Sequence, residues 1–147
     1  MGEIFIMIVD DETPFVETMA KRLEKRGLFV LTAFSGQEAL EKLAENKNLD
    51  LVLLDVKMPG MDGIETLREI KKMIPLAEVV MLTGHATVEN AIKGMKLGAF
   101  DYLMKPCDID LLMKKVQEGV DKKRNHEEKI KEANIKAVLS TRHLPRY

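Results

Sequence analysis

Four apolar segments of this chain each hand over to a polar group able to do chemistry. Ile4-Phe5-Ile6-Met7-Ile8-Val9 gives way to Asp10 and Asp11, and Leu51-Val52-Leu53-Leu54 gives way to Asp55. Val79-Val80-Met81-Leu82 ends at Thr83, and the segment from Phe100 to Met104 ends at Lys105. Carboxylates brought together repel, and the cluster becomes favourable when a divalent cation sits among them. A small, oxygen-only ligand set suits magnesium, which keeps several of its waters. One carboxylate of such a set can act as a nucleophile toward phosphorus and form an aspartyl phosphate. The cation and Lys105 would balance charge on the phosphoryl oxygens. Thr83 would donate a hydrogen bond to one of them, and from the start of a loop it would let the phosphate pull on that loop. Taken singly, these residues have ordinary roles: Asp10 and Asp11 as helix caps, Asp55 as a turn starter, Thr83 as a strand end, Lys105 as a solvated lysine. Their matching positions argue for a site.

That convergence requires parallel strands. Leu51 to Leu54 shows no polar alternation, so it reads as a strand buried on both faces, in a parallel sheet covered by helices. In such sheets the ligand crevice lies outside the carboxyl ends of the strands. The rest of the chain fits. Thr13 is placed to cap a first helix with Pro14 in its first turn and Gly27 at its end, and Leu28 to Ala33 reads as a second strand. Ser35 or Gly36 opens a second helix, and Ile64, Leu67, Ile70 and Ile74 mark a third that stops at Pro75. Val88, Ala91, Ile92 and Met95 give a fourth, and much of that stripe is expected to be core. A last helix opens near Asp108 and buries Ile109, Leu112, Met113, Val116 and Val120. Five alternations of strand and helix argue for an α/β doubly wound sheet with right-handed crossovers.

Composition narrows the classes. The 147 residues are 46% hydrophobic and 32% charged, the profile of one soluble globular domain. A net charge of −1 makes no electrostatic case for nucleic acid or an anionic membrane. The single cysteine, Cys107, excludes an internal disulfide and reads as a small packed residue. The first apolar run is too short to span a bilayer and lacks a basic start, so a cytoplasmic location is the expectation.

The motifs at these strand ends resemble the receiver domain of two-component response regulators. They are Asp10-Asp11, Asp55 followed by Met58-Pro59-Gly60-Met61-Asp62-Gly63, Thr83-Gly84, and Gly98-Ala99-Phe100-Asp101-Tyr102-Leu103-Met104-Lys105-Pro106. The resemblance implies a flavodoxin-like fold, a five-stranded parallel sheet in order 2-1-3-4-5 with helices on both faces. It implies Asp55 as phosphoacceptor, and Mg2+ held by Asp10, Asp11, Asp55 and the backbone carbonyl of Lys57. It further implies Thr83 and Lys105 as the switch hydroxyl and the phosphate-binding lysine, Tyr102 as the switch aromatic, and a cis bond between Lys105 and Pro106. The implied partner is a sensor histidine kinase or phosphotransfer protein. The implied readout surface is helix four, strand five and helix five, which is also where a homodimer would form. Lys57 and His85 would flank the acyl phosphate and offer no carboxylate to assist its hydrolysis. No turnover beyond self-phosphorylation and self-dephosphorylation is implied, so the chain is not expected to be an enzyme in the usual sense.

Residues 1–122 are assigned to the receiver and residues 123–147 to a charged helical extension with a frayed tail. The segment Asp121 to Lys136 reads as a solvated helix, with Ile130, Ala133 and Ala137 as a thin apolar remnant suited at most to a short coiled coil. Neither a Gly-rich phosphate loop nor a helix-turn-helix follows, so the sequence fits a stand-alone receiver or part of a longer regulator. Two rival functions are a pseudo-receiver that takes no phosphate and an aspartate-nucleophile phosphatase. The second would carry an Asp where Lys57 stands. A flavin-binding protein lacks its phosphate loop after strand one.

Overall fold

The computed structural model describes residues 3–56, 62–84 and 87–142. Its elements alternate throughout: β1 (Phe5–Val9), α1 (Thr13–Lys25), β2 (Phe29–Ala33), α2 (Gly36–Glu45), β3 (Leu51–Leu54), α3 (Gly63–Met73), β4 (Glu78–Thr83), α4 (Val88–Lys96), β5 (Asp101–Met104) and α5 (Ile109–Arg142). The five strands form one parallel sheet in order β2-β1-β3-β4-β5.

The central strands run apolar over Phe5–Val9, Leu51–Leu54 and 79–82 because the sheet is covered on both faces, and only the ends of β4, Glu78 and Thr83, are polar. Ile6, Ile8, Leu51, Leu53, Val80 and Leu82 point to the side packed by Val16 and Leu23 of α1 and Leu112, Val116 and Val120 of α5. Their alternates Met7, Val9, Val52, Leu54, Val79 and Met81 meet Ala39 and Leu43 of α2 and Leu67 and Ile70 of α3. The two-residue period of a strand thus feeds two cores from one run.

Local chemistry sets most helix starts. Ser35, Asp62 and Thr87 accept hydrogen bonds from the backbone amides of Glu38, Glu65 and Asn90, which satisfies donors the helices leave open. α1 differs from the expected pattern. Thr13 lies within its first turn, and the cap position is Glu12, which makes no side-chain cap bond. Asp10 accepts from the Glu12 amide instead, at 3.0 Å.

Two further expectations are corrected. On α4 only Gly94 is buried, while Val88, Ile92 and Met95 are exposed, so the apolar stripe of that helix is not core. A Cβ at Gly94 would collide with the Met81 sulfur, so this helix sits down on β4 at a glycine and nothing larger. The segment from Asp121, read as a solvated helix, is for its part not solvated at its start, where the inward face of α5 continues past Val120. Its next inward position is Lys123, 7% exposed, whose ammonium lies 3.0 Å from Asp50 just before β3. Arg124 reaches the Glu3 carbonyl at 2.7 Å, and Lys122 reaches Glu78 at 3.2 Å. Three consecutive basic residues therefore tie α5 to the amino-terminal edge of the sheet. Beyond them, residues 125–140 are exposed on all sides.

Candidate functional site

The site stands at the opposite, carboxyl-terminal edge. The ladder extends one residue past the strands and fixes the backbone there: the Asp55 amide donates to the Val9 carbonyl at 2.9 Å, and the Lys105 amide donates to the Thr83 carbonyl at 2.9 Å. β3 is thereby held beside β1, and β5 beside β4, with polar side chains at all four exits. Behind Asp55 the first turn of α3 comes in close. The Gly63 amide donates to the Val56 carbonyl at 2.7 Å, and a Cβ at 63 would overlap the backbone of Asp55 and Val56.

Carboxylate oxygens of Asp10, Asp11 and Asp55 all lie within 4.8 Å of one another. Asp10 and Asp55 are buried, while Asp11 is exposed. Lys105 is the counter-charge. Its side chain is 12% exposed, and its ammonium bonds Asp10 directly, lies 3.0 Å from Glu12 and 3.9 Å from Asp55, and sits 4.1 Å above the centre of the Phe15 ring. Burial pushes the Asp10 carboxyl from its ordinary 3.8 up to about 6; the charge of Asp55 adds to this, while the bonds from Lys105 and the Glu12 amide oppose it. For Lys105, burial pulls the ammonium down. Its bonds to Asp10 and Glu12 and the charges of Asp10 and Asp55 outweigh that, so its pKa is raised overall.

This donor set fits a hard divalent cation such as Mg2+. It offers oxygen ligands only, on a rigid edge, and added positive charge would ease the burial cost of the Asp10 carboxylate. Thr83 is fully buried at the end of β4 and pairs in register with Met104. Tyr102 packs against the core on the α2–α3 side. Burial raises its hydroxyl pKa, against a hydrogen bond from the Thr87 backbone at the start of α4. The Lys105–Pro106 peptide bond is cis. Cys107 is half-buried against the α1–α5 core, and burial pushes its thiol pKa up. Lys57 and its carbonyl, His85, and Met58 to Met61 lie outside the described residues.

Glu12 and Phe15 escaped the sequence reading. The only signal was their place, directly after the acidic pair and on the first turn of α1, and neither forms part of a strand exit.

Comparisons with known proteins agree on the family and the fold. The family model for the response regulator receiver domain matches residues 6–117. The transcriptional regulatory protein ZraR of Salmonella typhimurium is 40% identical over 119 residues, covering 81% of this chain but 27% of that protein. The chain therefore spans about a quarter of the length of the curated relatives it matches. A CheY-like response regulator receiver domain protein from Methanospirillum hungatei superposes with a TM-score of 0.81 at 34% identity, covering 85% of this chain and 99% of that one. A receiver domain protein from Clostridium thermocellum gives 0.79 at 41% identity, covering 82% and 97%.

Proposed function

The chain belongs to the response regulator receiver domain family of two-component systems, and from that membership we propose that Asp55 is the phosphoacceptor of a magnesium-dependent conformational switch. The observation that carries the reading is the meeting of Asp10, Asp11 and Asp55 within 4.8 Å, with one lysine reaching both Asp10 and Asp55. A histidine kinase or phosphotransfer protein presents a phosphohistidine. An Asp55 carboxylate oxygen forms the new P–O bond as the P–N bond breaks, and the electron pair returns to the imidazole nitrogen, which takes one proton from solvent. Magnesium, when bound, supplies the positive charge that lets the carboxylates stay ionised beside an incoming phosphoryl group. Asp10 and Asp11 would hold it together with Asp55 and the Lys57 carbonyl.

Lys105 then neutralises a phosphoryl oxygen, and positioning and charge supply most of the catalysis. Thr83 donates to another oxygen, and Tyr102 follows into the space Thr83 leaves. The phosphorylated form is the favoured member of a pre-existing pair of conformations. Its readout is α4, β5 and α5, where Val88, Ile92, Met95 and Met104 are exposed. The receiver unit, assigned to residues 1–122, takes in Lys123 and Arg124 as well, since both bond the sheet edge, and residues 125–140 are the exposed continuation of α5. Among the described residues no helix is long and apolar enough to cross a membrane.

The test is intact mass after incubation with phosphoramidate, with and without Mg2+, on the wild type and Asp55→Asn. One Mg2+-dependent phosphoryl adduct that the variant lacks is the expected result. No adduct on the wild type overturns the reading.

A further inference from the structure

We propose that Glu12 is a positioning residue that competes with the phosphoryl group for Lys105, and that the Phe15 ring is the platform on which the ammonium moves between the two. The inference rests on Asp55 as phosphoacceptor.

Lys105 divides one positive charge among three carboxylates. An ammonium has three N–H donors and a single charge. Here it faces three carboxylates, with Glu12 at 3.0 Å nearer than Asp55 at 3.9 Å. In this state the lysine therefore leans toward the outer carboxylate and away from the reacting one. A phosphoryl group on Asp55 would add negative charge on the inner side. To meet it, the ammonium has to give up Glu12, while its bond to Asp10 can be kept or exchanged.

The two outer neighbours hold Lys105 in different ways. Glu12 is 61% exposed, so its attraction is screened by water and salt. Phe15 is partly buried on α1, and its π-face attracts the ammonium without offering a competing charge. Beyond them a groove of about 460 Å³ opens, lined by Glu12, Phe15, Gly84, Lys105, Pro106 and Cys107 among others. That groove gives the lysine side chain room to shift. A ring under the ammonium keeps the shift on an arc between Glu12 and Asp55. Because Glu12 makes no side-chain cap bond to α1, its charge can be removed without loss of a helix cap.

The experiment uses the full chain with beryllium fluoride at fixed Mg2+, bound species being read by 19F NMR. Glu12→Gln is expected to lower the half-saturating beryllium fluoride concentration about two- to fivefold, with the gain shrinking as salt is raised. Glu17→Gln removes the same charge from an exposed position farther along α1 and is expected to change it little. For the platform, the Lys105 ε-methylene protons should carry an upfield ring-current shift in both free and loaded protein, and Phe15→Leu should abolish it. An unchanged or weakened affinity in Glu12→Gln, or an equal gain in Glu17→Gln, overturns the competition. Absence of the ring-current shift overturns the platform. Failure of the wild type to bind, or equal binding by Asp55→Asn, instead overturns the phosphoacceptor reading and this proposal with it.

Discussion

Gly63 touches Asp55 from behind. Its amide donates to the neighbouring Val56 carbonyl at 2.7 Å, and a Cβ on residue 63 would sit 2.7 Å from that same oxygen and closer still to the Asp55 carbonyl. The position of Asp55 is thus set partly by the absence of a side chain at residue 63 of α3. Gly63→Ala must push α3 and the end of β3 apart. It should cost about 1–3 kcal/mol by urea unfolding and should slow phosphoryl uptake on Asp55, read by intact mass. Wild-type stability and uptake in the variant would contradict this contact.

A second prediction concerns the far edge. Lys123 and Asp50 are both buried and 3.0 Å apart, and Asp50 also accepts from the Phe5 amide at 2.9 Å. Lys123→Met leaves the Asp50 carboxylate with Arg124 at 3.4 Å as its remaining cation. A loss of about 2–4 kcal/mol is expected on urea unfolding. Asp50→Asn in the same background should recover part of it, because the uncompensated charge is then gone. Phosphoryl uptake on Asp55 should survive in both.

The pH dependence follows from Asp10. Its folded-state pKa, about 6, is raised above its ordinary 3.8. Between those values the native protein holds the proton more tightly than the unfolded chain, so stability falls as pH rises. Below that window the contribution is fully favourable, and above it the cost of the buried charge is complete. Metal-free protein should therefore lose thermal stability from about pH 4 to 6 through this group, and Asp10→Asn should flatten that part of the profile. At pH 7, Mg2+ should raise Tm for the wild type by mass action, and less for the variant.

Thr83→Ala separates chemistry from switching. The residue is fully buried, and its carbonyl keeps its bond from the Lys105 amide whatever the side chain. The phosphoryl adduct should still form, more slowly. The environment of Tyr102 should no longer respond to it. With two tyrosines and no tryptophan in the chain, tyrosine fluorescence on loading with beryllium fluoride reads this directly. A full wild-type response in the variant would remove Thr83 from the switch.

Much of this architecture was legible from order along the chain. β3 is four apolar residues followed by Asp55, the pattern of a strand covered on both faces. Ser35 announces its helix because capping is local. Asp10, Asp11, Thr83 and Lys105 could be aligned because parallel strands bring every exit to one edge. What stayed hidden depends on partners distant in sequence. Lys123 looks like any solvated lysine until Asp50, 73 residues away, receives it. Glu12 looks like a third acid in a turn until Lys105 arrives from 93 residues on. The stripe on α4 misled because its spacing is right for a core-facing helix, whereas the contact with β4 is made by Gly94.

That last contact decides how cheaply the molecule can rearrange. α2 gives Ala39 and Leu43 to the core and α3 gives Leu67 and Ile70, so lifting either one exposes large apolar side chains to water. α4 surrenders almost nothing of the kind, because the only residue it buries has no side chain. Its local unfolding free energy must be the lowest of the four shorter helices. Its amides should therefore trade their hydrogens with solvent long before the sheet does.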